Sequence, residues 1–404
     1  MQSRWFAPSI FAAALLGFLC AQYLPPEVLG LAALTALLQT AFLAALKMII
    51  VPLIFFSLLS GVMQLRASSS IGRLGGVTVS YYLLTSAIAI ALGLTVVFFI
   101  HPWTDHPPLA HVPNADVTLL QAEDGSLLGV LTGLVKMILA NPVTAFVEMN
   151  ILGIFTWAVL LGIAATVVLP QESTLPERLQ EITDLIMTIA RWILTTLPIG
   201  MFAITYQLTG KIDVTTLMAL GEFAALVFAT TAIHGLLVLP ALAWLLTGTP
   251  PTVLLRTISQ PLITAFATSS SAATLPLSMS CAEEKLGVER AKAAFVLPLG
   301  ATANMDGTAL FEGMAIVFLA YMFNVQLDAV SIFVVFLMTM LASAGAPGIP
   351  SGSMAGVQVV MLAVGIPLEA IALLLLIERP LDTFRTAVNV EGDLVGALVA
   401  ERHA

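Results

Sequence analysis

The sequence predicts an all-α polytopic membrane protein, and three observations carry the prediction. Hydrophobic residues make up 59% of the 404 and charged residues only 10%, against about 25% charged in an ordinary soluble protein. Apolar stretches long enough for a helical crossing recur along almost the whole chain, which excludes a soluble fold. Polar and ionisable residues nevertheless sit inside two C-terminal stretches, at Asn304–Asp306 and from Asp382 to Asn389. A carboxylate or guanidinium at membrane depth costs roughly 2.5–3.5 kcal/mol on insertion scales, so such residues mark an ion or substrate path.

The apolar windows fall at 6–24, 28–64, 76–101, 126–169, 181–208, 213–247, 253–281, 291–323, 328–365 and 366–400. Several exceed the ~20 residues of a straight span, so tilted or kinked helices and hairpins are expected. The first window has one basic residue before it, Arg4, and no small-residue cleavage site, so it reads as a retained span and not a secretion signal. Residues 102–125, with Pro107, Pro108, Asp116 and Glu123, form a polar loop. Arg66, Arg73, Arg178, Arg256, Lys285, Arg290 and Lys292 all fall on one side of the windows, with Lys211 the exception. The positive-inside rule then places the N-terminus in the cytoplasm and the 102–125 loop outside a cell membrane, plasma or inner. The net charge of −9 says little about partners, because lipid hides most of the surface, but the lack of a basic patch with interleaved aromatics argues against nucleic acid. Cys20 and Cys281 form no CxxC unit and suggest neither a disulfide framework nor a metal site.

Two windows are unlike the rest. Window 253–281 carries Thr268 through Pro276 at its middle, leaving apolar arms of roughly a dozen residues that suit a re-entrant hairpin. Window 328–365 repeats the plan around Ala342–Gly352. Irregular backbone at that depth needs cover from protein or a water-filled cavity. Each hairpin precedes a span holding Asn and Asp, the pattern of an inverted repeat with a ligand at its interface.

In the last span, Glu378, Asp382, Arg385, Thr386, Asn389 and Asp393 share one helical face, while Glu391 points nearly opposite. Asn304 and Asp306 are two apart and flanked by Gly300 and Gly307, so a local unwinding is expected. Carbonyls released there beside a carboxylate suit a small hard cation. Ser269–Ser271 lack a GxSxG elbow, and the only histidine in an apolar span is His234, which argues against a serine hydrolase. A hairpin tip offering hydroxyls and amides to an anion is the better reading. His101, His106, His111 and His403 lie in loops or at the end and read as solvated.

From Leu46-Lys47-Met48 onward the chain resembles the glutamate transporter family, the dicarboxylate/amino acid:cation symporters. The likeness is densest in the serine-rich hairpin, in PLGATANMDGTALFEG, in ASAGAPGIP and in RTAVNVEGD. The resemblance implies eight transmembrane helices plus two re-entrant hairpins, divided into scaffold and transport domains. Residues 1–73 would be scaffold spans 1–2 and 74–101 the third span. Residues 102–210 would hold the outer loop and spans 4–5, and 211–404 the rest of the transport domain. It further implies a homotrimer, an elevator motion in the lipid bilayer, no enzymatic activity and no cofactor beyond co-transported sodium.

By the same resemblance Arg385 matches the arginine that pairs with a substrate side-chain carboxylate, and Asp382 the aspartate that takes the amino group. Thr386, Asn389, Thr308, Ser269, Ser271, Ile349 and Ser353 match further substrate contacts. Gly300, Asn304, Asn389 and Asp393 match one sodium site. Tyr82, Thr85, Ser86, Asn304 and Asp306 match another, and carbonyls near Thr302, Ser343, Ala344 and Ala346 a third. Glu312 resembles the glutamate that carries a proton in mammalian acidic amino acid carriers. Many relatives carry an arginine where this chain has Ser269 or Thr383; Arg379, one turn before Asp382, is the candidate substitute. An arginine fork with a carboxylate beside it favours aspartate or glutamate. A proton-coupled glutamate or dicarboxylate carrier and a neutral amino acid exchanger are the alternatives, with a channel or an intramembrane enzyme more remote.

Overall fold

The computed structural model describes residues 6–23, 30–64, 71–108, 135–136, 138–148, 150–170, 172–209, 214–344 and 352–404. Every regular element among them is helical, as lipid requires of a chain that closes its hydrogen bonds within each segment. The first three helices are α1 (Phe6–Tyr23), α2 (Leu31–Gln64) and α3 (Ile71–Phe99).

Window 126–169 resolves, where described, into α4 (Pro142–Val147) and α5 (Ile151–Val168). Asn150 separates them, its side chain accepting from Gly153 N at 3.2 Å as an N-cap. Next come α6 (Leu175–Thr195) and α7 (Leu197–Thr209), parted just before Pro198, whose ring and missing N–H interrupt the helical ladder. Helix α6 begins six residues ahead of its apolar window because its first turns are amphipathic, with Arg178 and Glu181 exposed and paired at 3.0 Å.

Helix α8 (Val214–Ile233) runs through a π turn, His234–Val238, into α9 (Leu239–Thr247). Pro240 offers no N–H to the carbonyl four residues back, and the ladder widens by one residue: Leu239 N donates to the His234 carbonyl. The first hairpin comprises α10 (Pro251–Thr257), α11 (Ser259–Thr268) and α12 (Ser271–Glu284). Its tip is tighter than expected. Only Ser269, in the left-handed region at φ 51°, and Ser270 lie outside the helices, and Ser270 caps α12 by accepting from Ala273 N at 3.2 Å.

Then follow α13 (Arg290–Ala303), α14 (Asp306–Met322), α15 (Ala329–Ala344), α16 (Ser353–Val364) and α17 (Ile371–His403). Asp328 caps α15, accepting from Ser331 N at 2.7 Å, and these amide bonds hold its carboxyl below the usual carboxylate range. Helices α15 and α16 pack on each other as hairpin arms; the tip residues 345–351 lie outside the described residues.

Three helical stretches are long and apolar enough to cross a membrane by length and composition: Arg73–Asp105, Val214–Thr247 and Arg290–Met322. The packing is uneven. Helix α1 lies against α7, and α2 against α5, α6 and α7, whereas α14 and α17 form the centre of a second group with α3, α8, α9 and both hairpins. Trp103 and Phe318 contact edge to face, and Phe318 stacks on Phe223 with centroids 4.4 Å apart, closing this group beside the 102–105 turn.

Candidate substrate and cation site

The site grows from the break between α13 and α14. Asn304 (φ −112°, ψ 89°) and Met305 (φ −122°, ψ 55°) leave helical geometry, and the helix resumes at Asp306. In an unbroken helix the Gly307 and Thr308 amides would go to the carbonyls of Ala303 and Asn304. Here both go to Asn389 Oδ1 on α17, at 2.8 and 3.4 Å. Asn389 Nδ2 donates to Thr308 Oγ1 at 3.1 Å. One side chain thus holds the break open, and two main-chain carbonyls are released beside it. Gly307 permits this approach, since a Cβ there would stand 2.7 Å from the Arg385 carbonyl oxygen.

The residues expected to hold cations converge around that break. Asn304 Nδ2 donates to Asp393 Oδ1 at 3.0 Å. Thr85 Oγ1 lies 3.4 Å from Asn304 Oδ1, and Ser86 Oγ donates to Asp306 Oδ1 at 2.9 Å. Tyr82 donates to the Val296 carbonyl at 3.0 Å. Its hydroxyl and the Asp393 carboxylate both crowd the space beside Gly300, where a Cβ would fall within 2.6 Å of each. Asn304 and Asp306 are fully buried, and Asp393 and Asn389 nearly so. Oxygen-rich and acidic, this set has ligand chemistry suited to a hard cation. Asp306, at the first position of α14, also gains from the helix dipole. No His/Cys/Asp/Glu cluster among the described residues has the make-up of a transition-metal site.

The substrate-type residues gather one to two turns earlier on α17. Arg385 is buried, with Nη2 donating to Glu378 Oε1 at 2.8 Å and to Asp382 Oδ1 at 3.3 Å. Its guanidinium carbon sits 4.0 Å over the Phe311 ring. Nε and Nη1 meet no hydrogen-bond partner among the described residues. Ser353, first residue of α16, donates to the same Glu378 Oε1 at 2.9 Å. Thr386 Oγ1 bonds back to the Asp382 carbonyl at 2.7 Å. Arg379 Nη1 stands 3.7 Å from Asp382 Oδ2, at ion-pair distance. The tip residues Ser269 and Ser271 are buried, and α11 and α12 pack against α17.

Not every expected residue joins. Ala346 and Ile349 lie outside the described residues, and Ala344 ends α15 with its side chain undescribed. Thr302 and Ser343 turn their hydroxyls back to Leu299 and Met340 carbonyls, leaving only main-chain oxygens for a third cation site. Glu312 is fully buried on α14 with neither oxygen bonded among the described residues. A Cβ on Gly356 would land on that carboxylate.

One histidine corrects the reading from sequence. His106 is not simply solvated: Nε2 lies 3.2 Å from Glu222 Oε2 on α8. His403 is exposed, as read from the sequence, and its Nε2 lies 2.8 Å from the Leu246 carbonyl. A third, His234, was passed over except as a remote catalytic base; the π turn brings its Nε2 to 3.4 Å from Asp306 Oδ2, both fully buried. A lone histidine six residues before Pro240 was the available signal. Glu391 does face away from the stripe, yet it is buried against Gly235 of the π turn, not turned to lipid.

Comparison with known proteins fits this geometry. The neutral amino acid transporter B(0) of Bos taurus is 35% identical over 385 residues, 88% of this chain and 71% of that protein. The human neutral amino acid transporter A is 33% identical over 390 residues (88% and 73%). An excitatory amino acid transporter of Caenorhabditis elegans is 34% identical over 397 residues (87% and 78%). The pattern of the Sodium:dicarboxylate symporter family matches residues 6–403. With that match over nearly its whole length, the chain belongs to the sodium:dicarboxylate symporter family, membrane-embedded secondary transporters of amino acids and dicarboxylates.

Proposed function

We propose that this chain is a sodium-coupled symporter of an acidic amino acid, aspartate or glutamate. One observation carries the reading. Arg385 lies buried with two N–H donors, Nε and Nη1, unmatched among the described residues, and with Asp382 beside it. A carboxylate on the substrate side chain would accept from one of these donors in a charge-assisted bond, and the substrate amino group would face Asp382. Hairpin tips with Ser269, Ser271 and Ser353 at or next to helix N-termini would receive the α-carboxylate.

Sodium is the proposed partner ion because the cluster of Tyr82, Thr85, Ser86, Asn304, Asp306, Asn389 and Asp393 offers hard oxygens and two buried carboxylates. Cations there would offset Asp306 and Asp393, while substrate would match Arg385 and Asp382. A carrier loaded with one and not the other would hold unbalanced charge and stay trapped on one side. We further propose a homotrimer in the plasma or inner membrane, N-terminus inside, moving as an elevator. The separate packing of α1, α2 and α5–α7 from the helices around α14 and α17 supports a scaffold and a mobile body.

A second reading, a carrier for neutral amino acids, is favoured by one observation: Glu378 already engages Arg385 at 2.8 Å. A proton in place of one sodium is favoured by the Glu312 carboxyl, which has no partner among the described residues. The test is uptake of labelled aspartate, glutamate, serine and glutamine into proteoliposomes under imposed sodium, proton or potassium gradients. Sodium-driven aspartate or glutamate uptake is the expected result. Uptake confined to serine or glutamine, or unchanged when choline replaces sodium at a fixed proton gradient, would overturn the acidic or the sodium part in turn.

A further inference from the structure

Arg385 has a resident counter-charge that the substrate scheme above does not use. Glu378, seven residues earlier and therefore two turns back on the same face of α17, is 1% exposed. Its Oε1 accepts from Arg385 Nη2 at 2.8 Å and from Ser353 Oγ at 2.9 Å. Asp382 accepts from the same nitrogen at 3.3 Å. Both carboxylates thus crowd Nη2, while Nε and Nη1 have no partner among the described residues. The Phe311 ring covers one face of the guanidinium and limits its approach to the edge.

We infer that Glu378 is the residue that sets how strictly this site demands a side-chain carboxylate. The inference rests on the reading of Arg385 as the side-chain contact. A bare guanidinium in a dry pocket needs an anion, because a buried charge without a partner is costly. A guanidinium already offset by Glu378 can give Nε and Nη1 to a neutral amide or hydroxyl instead. A carboxylate arriving there must bind close to the carboxylate already present. Glu378 therefore weakens acidic ligands and strengthens neutral polar ones. Through Ser353 it also ties the first turn of α16 to α17, so the charge selector and the hairpin arm are one unit.

The test uses the purified full chain at saturating sodium and two nearly isosteric probes, aspartate and asparagine. The readout is the ratio of their binding affinities, which a merely structural role would leave alone. Glu378→Gln keeps the length and an acceptor oxygen for Nη2 and Ser353 while removing the charge. Loss of one buried charge–charge contact should raise the aspartate:asparagine ratio by about tenfold or more. Glu378→Asp, which draws the charge back by one methylene, should move the ratio the same way by less, and serves if the glutamine variant does not fold. A ratio unchanged or shifted toward asparagine in these variants overturns the inference. Arg385→Ala separates the two levels. If it leaves the wild-type ratio intact, Arg385 is not the side-chain contact and the acidic reading falls with the Glu378 inference. If it collapses the ratio while Glu378→Gln does not move it, only the role of Glu378 is refuted.

Discussion

Gly307→Ala places one methyl group where the start of α14 crosses α17. A Cβ there would stand 2.7 Å from the Arg385 carbonyl oxygen, 2.9 Å from its Cα and 3.2 Å from its carbonyl carbon. All three are backbone atoms, so no rotamer change can make room. Ordinary contact begins at 3.4 Å, and 3.4 − 2.7 requires the helices to part by 0.7 Å. Overpacking of this kind costs about 1–3 kcal/mol. The displacement falls on the Gly307 and Thr308 amides that Asn389 holds at 2.8 and 3.4 Å, and the longer bond has no slack left. Asn304 and Asp306 would shift with them. We expect a lower melting temperature in detergent and a sodium midpoint for aspartate binding raised by about tenfold, as 1.4 kcal/mol gives. Gly221→Ala is the control: nothing lies within 4 Å of its Cβ, and alanine is the better helix former. A Gly307→Ala protein that melts and titrates with sodium like the wild type would refute the close-crossing argument.

Arg385→Ala should abolish sodium-driven aspartate uptake and admit neutral amino acids, read as uptake competition; unchanged aspartate affinity contradicts the assignment. Asp393→Asn removes a charge that Asn304 Nδ2 meets at 3.0 Å, and should raise the sodium midpoint at least about tenfold while a folded, monodisperse protein is still recovered. Trp103→Ala empties a site 1% exposed between Phe223 and Phe318. It should destabilise by about 3–5 kcal/mol, seen as an earlier melt, with the sodium midpoint little changed in the protein that remains folded.

What the sequence revealed was periodic or local. The stripe on α17 follows from 3.6-residue spacing alone, and Glu378, Asp382, Arg385, Asn389 and Asp393 are all buried. The break at Asn304-Met305 was legible from two polar residues that one helix face cannot serve, set between glycines. Its bridging by Asn389 was not, because nothing in spacing says which distant side chain will take orphaned amides. His106 and Glu222 are over a hundred residues apart, as are Tyr321 and, through its bond to the His106 carbonyl at 2.7 Å, the 102–105 turn. Such pairs leave no periodic trace. Glu391 does point away from the stripe, but spacing alone does not say what that far side meets. Helix α17 is buried nearly all round, so its far face meets the π turn.

The order of residues along α17 bears on coupling itself. Arg385, Asn389 and Asp393 follow one another at single-turn intervals, so the proposed substrate and cation contacts stand within about 12 Å along one rigid helix, at 1.5 Å per residue. On the facing segment Asn304 touches Asp393, Thr308 touches Asn389, and only the break and a first helical turn lie between. A cation that reorients Asn304 must drag Met305 and Asp306, and with them the amides that Asn389 grips. Thr308 and Gly307 in turn lie against Asn389 and the Arg385 backbone. Occupancy at one of the proposed sites would therefore alter geometry at the other through covalent neighbours and four hydrogen bonds. If the proposed sites are right, linkage then fixes the magnitude in both directions. The factor by which sodium tightens aspartate binding must equal the factor by which aspartate tightens sodium binding.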